Sequence, residues 1–168
     1  HLLAYLAEHR SMQVVLQYAM DHMIERGFEP VSVPTLVSYA CMEGTGYFPG
    51  GEEQAYMAER DQLALVGTSE VPLTSIHSGE VLDAEALPIR RVAMSPCYRR
   101  EAGTYGKDTK GLYRVHQFWK VEQVVIGPAD EAWSTEEHQR MLAHAMARQL
   151  ARGWVQWRAS HRDQEHWQ

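Results

Sequence analysis

CYRREAGTYGKDTKGLYRVHQFWKVE, residues 97–122, places charges at alternate positions on both sides of a middle punctuated by Gly103, Gly106 and Gly111. A pleated strand sends successive side chains to opposite faces, so this pattern predicts two paired strands joined by a glycine-rich loop. The second strand is expected over residues 113–126. Arg114, His116, Phe118, Lys120 and Glu122 then share one face, while Val115, Gln117, Trp119, Val121 and Val125 share the other. The first face is expected to be functional and the second to pack. Between Arg99 and Lys120 stand six basic residues (Arg99, Arg100, Lys107, Lys110, Arg114, Lys120) against two acidic ones (Glu101, Asp108), in a chain whose formal net charge is −6. The basic charge is thus concentrated in the hairpin.

Outward from the hairpin, the first of the two strands is expected over residues 91–98, reached through a polar connection over 76–88 that follows a short helix. A smaller hairpin is expected with strands at 55–58 and 62–66 around the turn Glu59-Arg60-Asp61. The segment before it, Tyr47-Phe48-Pro49-Gly50-Gly51-Glu52-Glu53, reads as loop by its Gly and Pro content. Nearer the start, Val15, Tyr18, Ala19, His22 and Met23 fall at helical spacing, which predicts a helix over 12–26 capped by Ser11 and stopped by Gly27. A strand over 28–33 follows and ends at Pro34, which has no amide proton for a ladder. Toward the other end, Ser134-Thr135-Glu136-Glu137 reads as a capping box opening a helix striped by Met141, Leu142, Ala145, Met146 and Leu150 up to Gly153. Residues 154–168 show no period. The domain reading is one domain over 1–153 and a tail over 154–168.

At 168 residues the chain fits a single core. No apolar run approaches the ~20 residues of a membrane-spanning helix, and Cys41 and Cys97 form no Cys-x-x-Cys pair, so neither a thiolate zinc site nor a disulfide framework is expected. A reducing, cytoplasmic setting is the simpler expectation. The acidic net charge argues against a whole surface built for polyphosphate, because nucleic-acid affinity rests on Lys and Arg neutralising phosphates.

The hairpin resembles the ATP-binding hairpin of seryl-tRNA synthetases. Gly67-Thr68-Ser69-Glu70-Val71-Pro72-Leu73 resembles that family's Thr-x-Glu serine-binding loop. Arg26-Gly27-Phe28-Glu29-Pro30-Val31-Ser32-Val33-Pro34 resembles the helix-strand-proline signature of class II synthetases, and Gly44-Thr45-Gly46-Tyr47-Phe48-Pro49 its usual continuation. The resemblance covers roughly residues 12 to 150, with the segments in the family's order. It implies an α+β fold, an antiparallel sheet flanked by helices. It also implies truncation at both ends, since the N-terminal tRNA-binding arm and the third class II signature have no counterpart in this sequence.

Residue by residue, the resemblance implies that Arg99 bridges the ATP α-phosphate and the substrate carboxylate, as the catalytic residue. Arg100, Glu101, Val115 and Phe118 would complete the ATP site, with Phe118 stacking on adenine. Thr68, Ser69, Glu70 and Glu122, together with Arg99, would hold serine; Lys107 and Lys110 would reach the tRNA acceptor end. An arginine suits the first task because its planar, permanently charged fork binds carboxylate or phosphate oxygens two at a time. Adenylate formation needs no general base, so His116 is expected to be a structural hydrogen-bonding residue, and Cys97 a small buried one. Magnesium is expected with ATP, and no protein metal site is assigned. The helix and strand over 12–34 are expected to form a homodimer interface. The implied activity is ATP-dependent activation of serine for ligation to tRNA, weak or lost if the missing signature is essential. The alternatives are a non-catalytic relative that binds nucleotide, protein or nucleic acid, and, ranked last, an enzyme that loads amino acids onto a carrier protein.

Overall fold

The computed structural model describes residues 2–102 and 115–151, with side chains described for 12–102 and 115–146. Lys107, Lys110, Arg114, most of the hairpin loop and the 154–168 tail lie outside the described residues. The chain divides into two compact units, residues 1–126 and 127–168.

The first unit is built on two small sheets. In one, β5 (Ile89–Tyr98) pairs antiparallel with β6 (Gln117–Ile126) over ten residues each, from Ile89 opposite Ile126 to Tyr98 opposite Gln117, and β1 (Glu29–Pro30) lies parallel to β5 on its other side. The expected strand over 28–33 is therefore only two residues long. In the other sheet the central β4 (Leu63–Leu65) has β2 (Leu36–Ser38) and β3 (Tyr56–Ala58) as antiparallel neighbours. The two sheets join where the Tyr98 amide donates to the Val66 carbonyl at 2.8 Å. Packed on the small sheet is a core of Val37, Met42, Phe48, Ala55, Ala64, Val66 and Val71.

The register of the β5–β6 ladder sets the shape of one face. Opposite Phe118, Lys120 and Glu122 stand Cys97, Ser95 and Ala93, all small, and none of the three more than 2% exposed. Small side chains on β5 leave depth above the sheet. Into that depth comes the segment leading to α3 (Glu70–Ser75), where the Ser69 and Ser95 hydroxyls meet at 2.6 Å.

α1 (Leu2–Ile24) packs against β5 and β6. It begins well before Ser11, which lies inside the helix rather than capping it. Its end is the one expected: Gly27 has φ +83, its amide donates to the Ile24 carbonyl, and the Phe28 amide donates to the Met23 carbonyl at 3.1 Å. That pair of bonds is the Schellman stop, for which a left-handed residue without a Cβ is best suited. Ala19, Met20, His22 and Met23 are buried, whereas Val15 and Tyr18, expected on the same stripe, are about two-fifths exposed. The sequence reading also passed over β2 and α2 (Tyr39–Gly44).

The second unit is organised around α4 (Glu131–Ala151). Its cap is Asp130, whose carboxylate accepts from the Trp133 amide at 2.7 Å, four residues ahead of Ser134, where the expected capping box opens.

Candidate active site

Both halves of the expected site come together on the small-residue face of the large sheet. Thr68 follows β4 and is 1% exposed. Its hydroxyl donates to Glu122 Oε2 and accepts from Lys120 Nζ at 3.0 Å and from the Glu70 amide at 3.3 Å. Those three bonds use the single proton and both lone pairs of a hydroxyl. Lys120 also forms an ion pair with Glu122 Oε2. One lysine therefore ties together Thr68 and Glu122, two of the residues expected to hold an amino acid, although they lie 54 positions apart in the chain. Lys120 stood on the expected functional face without an assigned role; no local pattern signals its bond to Thr68, 52 positions away. Ser69 is fully buried with its hydroxyl on Ser95, and Glu70 opens α3 at the surface.

Arg99 lies one residue past the end of β5. Its guanidinium carbon sits 5.3 Å from the centroid of the Phe118 ring, a cation–π arrangement, and its Nε donates to the Gly67 carbonyl at 3.3 Å. A Cβ at Gly67 would stand 3.6 Å from Arg99 Cγ, ordinary contact. Arg99 and Glu101 line one cavity of about 490 Å3, with Tyr47, Gln54, Gly67 and Tyr98 among its other walls. Arg100 is exposed, its amide donating to the Gln54 carbonyl at 2.9 Å, and Val115 is 44% exposed.

Tyr47 falls in the stretch that composition marks only as loop, and Gln54 lies between that stretch and the expected strand over 55–58. Gly51 lets the backbone pass close to Tyr47, since a Cβ there would meet the Tyr47 carbonyl oxygen at 2.3 Å. Burial, and after it the Glu70 carboxylate, push the Tyr47 phenol above its ordinary value, with the Arg99 charge acting in the opposite sense. Burial likewise pushes the Cys97 thiol up, against the hydrogen bond from Ser95, which suits a fully buried side chain rather than a nucleophile. The ring of His116 is engaged: Nδ1 lies 2.7 Å from the Tyr56 hydroxyl and 3.2 Å from the Arg99 carbonyl oxygen. On the opposite face of the sheet, Trp119 is 41% exposed and borders a second cavity with Met94 and the α1 residues Met12, Val14 and Leu16. That face is less closely packed than the alternation predicts.

Comparison with known proteins places these residues in context. The tRNA synthetase class II core domain (G, H, P, S and T) matches residues 55–159. A serine–tRNA ligase from a Nocardioides species is 47% identical over 129 residues, which is 77% of this chain and 30% of that protein. A serine–tRNA ligase from Streptomyces avermitilis is 50% identical over 125 residues, 74% of this chain and 29% of that one. Among solved structures, seryl-tRNA synthetase from Pyrococcus horikoshii complexed with ATP superposes with a TM-score of 0.72 at 43% identity, covering 82% of this chain and 31% of that one. The chain thus spans about three-tenths of the length of the relatives it matches.

Proposed function

Because the chain belongs to the class II tRNA synthetase core family, we propose that its two-part site binds ATP and serine and forms seryl-adenylate on the way to charging tRNA. The observation that carries this reading is the continuity of the site: Arg99 joins Phe118 on one side to the cavity it shares with Glu101 on the other, beside the Thr68–Lys120–Glu122 cluster. In the proposed reaction a serine carboxylate oxygen attacks the α-phosphorus, the bond from that phosphorus to the β-bridging oxygen breaks, and pyrophosphate leaves with the electron pair. No proton has to move, so the engagement of His116 with Tyr56 and Arg99 is no obstacle.

Arg99 is charged throughout and lies where it can hold the attacking carboxylate and the α-phosphate together, offsetting the repulsion between two anions. Phe118 offers the flat ring for adenine, Glu101 and Arg100 the further ATP contacts, and Val115 its backbone. For serine, Glu122 and Glu70 are the anions for the ammonium group. Lys120 occupies Glu122 Oε2; Oε1 is the oxygen offered to the substrate. Thr68 and Ser69 shape the loop around it. ATP is taken with its magnesium ion, which enters as part of that substrate, and tRNA is the acceptor of the seryl group, whose ester bond to a tRNA hydroxyl forms as AMP leaves, with the acceptor end approached by Lys107 and Lys110. The reaction is placed in the cytoplasm, where Cys41 and Cys97 stay reduced; among the described residues no helix is long and apolar enough to cross a membrane.

A homodimer through residues 12–34 belongs to the same reading. α1 exposes Val14 (64%), Val15, Tyr18 and Ile24, an apolar run of the kind that marks a protein interface.

Titration calorimetry tests the ATP half. Stacking contributes about 1–3 kcal/mol per base, so Phe118→Ala is expected to weaken ATP binding by about tenfold to a hundredfold. Equal affinity of the two proteins would refute the adenine site.

A further inference from the structure

Glu101 is held by something other than the strand that leads to it. The β5–β6 ladder ends at Tyr98 opposite Gln117, and Glu101 lies three residues beyond, at φ +53. A non-glycine residue in the left-handed region is disfavoured by its Cβ, and such a conformation persists only where its surroundings impose it. One residue makes bonds on both sides of Glu101. Gln54 Nε2 donates to the Ala102 carbonyl at 2.7 Å and Gln54 Oε1 accepts from the Ala102 amide at 3.2 Å. The backbone carbonyl of Gln54 accepts from the Arg100 amide at 2.9 Å. Three bonds from a single residue therefore straddle Glu101, the carboxamide standing in for a neighbouring strand. Two residues on, Tyr56 bonds His116, whose carbonyl accepts from the Arg99 amide at 3.0 Å. Both sides of the hairpin mouth are thus held from the 54–56 segment, and Gln54 itself borders the cavity that Arg99 and Glu101 share.

We propose that Gln54 is a positioning residue for ATP binding: it fixes the backbone on both sides of Glu101, so that Glu101 and Arg99 are presented to one cavity before the nucleotide arrives. The inference rests on reading that cavity as the ATP site. Order imposed in advance spares the ligand the cost of imposing it. Gln54 is exposed, so substitutions there are expected to leave folding intact, and an effect on affinity is separable from an effect on stability.

Two variants of the full chain test it, with ATP as the titrant. Gln54→Met keeps the length of the side chain and removes its two hydrogen bonds; it is expected to weaken ATP binding about tenfold, as the loss of two modest bonds implies, with an unchanged melting temperature and faster hydrogen exchange at the Ala102 amide. Gln54→Glu carries a signature that a merely structural role would not produce. A protonated carboxyl is isosteric with the carboxamide and makes both bonds, whereas a carboxylate cannot donate to the Ala102 carbonyl. The affinity of Gln54→Glu relative to wild type at the same pH is therefore expected to rise as pH falls from about 7 toward the ordinary glutamate range near about 4.3. ATP binding by Gln54→Met equal to wild type overturns the inference and leaves the ATP site standing, as does a lowered melting temperature without loss of affinity. Absence of ATP binding in the wild type overturns the ATP site, and the inference with it.

Discussion

The Ser69–Ser95 hydroxyl pair seats the Thr68–Glu70 loop on the sheet, and its contribution can be measured by a double-mutant cycle. The oxygens are 2.6 Å apart and both residues are at most 2% exposed. The two are not equivalent. Ser95 Oγ has a second acceptor, the Pro96 carbonyl at 3.1 Å, and the Cys97 sulfur at 3.8 Å, so in Ser69→Ala its proton has somewhere to go. A loss of about 1 kcal/mol is expected, that of one ordinary hydrogen bond. In Ser95→Ala the Ser69 hydroxyl stays buried and loses this partner, and the expected loss is about 2 kcal/mol, within the range for an unsatisfied buried group. Removing both hydroxyls leaves neither stranded; the double variant is expected to lose about 1 kcal/mol, giving a coupling of about 2 kcal/mol between residues in contact. Urea unfolding of the four proteins supplies the numbers. ATP binding, proposed to use Phe118 and Arg99, is expected to be unchanged. Strictly additive losses, or single losses below about 0.5 kcal/mol, the level of ordinary surface substitutions, would refute the claim that this pair seats the loop.

Serine-dependent exchange of pyrophosphate into ATP by these 168 residues is expected to fall about a hundredfold or more below that of a full-length relative, since the third class II signature has no counterpart among them and the loss of one electrostatic contact to the reacting group costs that much in rate. Robust exchange that disappears in Arg99→Ala would show that the chain supplies its own clamp. In sedimentation the chain is expected to be dimeric at micromolar concentration and Val14→Asp monomeric with an unchanged melting temperature; a monomeric wild type would refute the interface over 12–34.

Much of this was legible because the informative pattern is local. The alternation along β6 is visible in ten consecutive residues, and it placed Phe118, Lys120 and Glu122 on one face without any knowledge of the partner strand. Gly27 was legible as a stop because a left-handed helix end selects for glycine. β2 and α2 were not, being three and six residues long, too short to display a period of either kind. Ser11 and Ser134 were misread as caps because a cap is defined by the backbone around it, and each has the right side chain one turn or more inside a helix that starts earlier. Lys120 and Gln54 illustrate a different limit. Both act through bonds to residues 48 or more positions away, and only the fold brings those partners within reach.

The small residues of β5 also bear on which changes the protein can accept. Ala93, Ser95 and Cys97 touch no substrate in the proposed reaction, yet each is buried and stands opposite Glu122, Lys120 or Phe118 across the ladder, and Ser95 bonds the loop that carries Thr68. A single added methylene there has nowhere to go except into that loop or into Phe118, Lys120 or Glu122. The strand without chemistry is therefore as restricted in size as its partner is in charge. A library randomised along 89–98 should return variants that still bind ATP only with small residues at 93, 95 and 97, a footprint of the site written on residues that never contact its ligands.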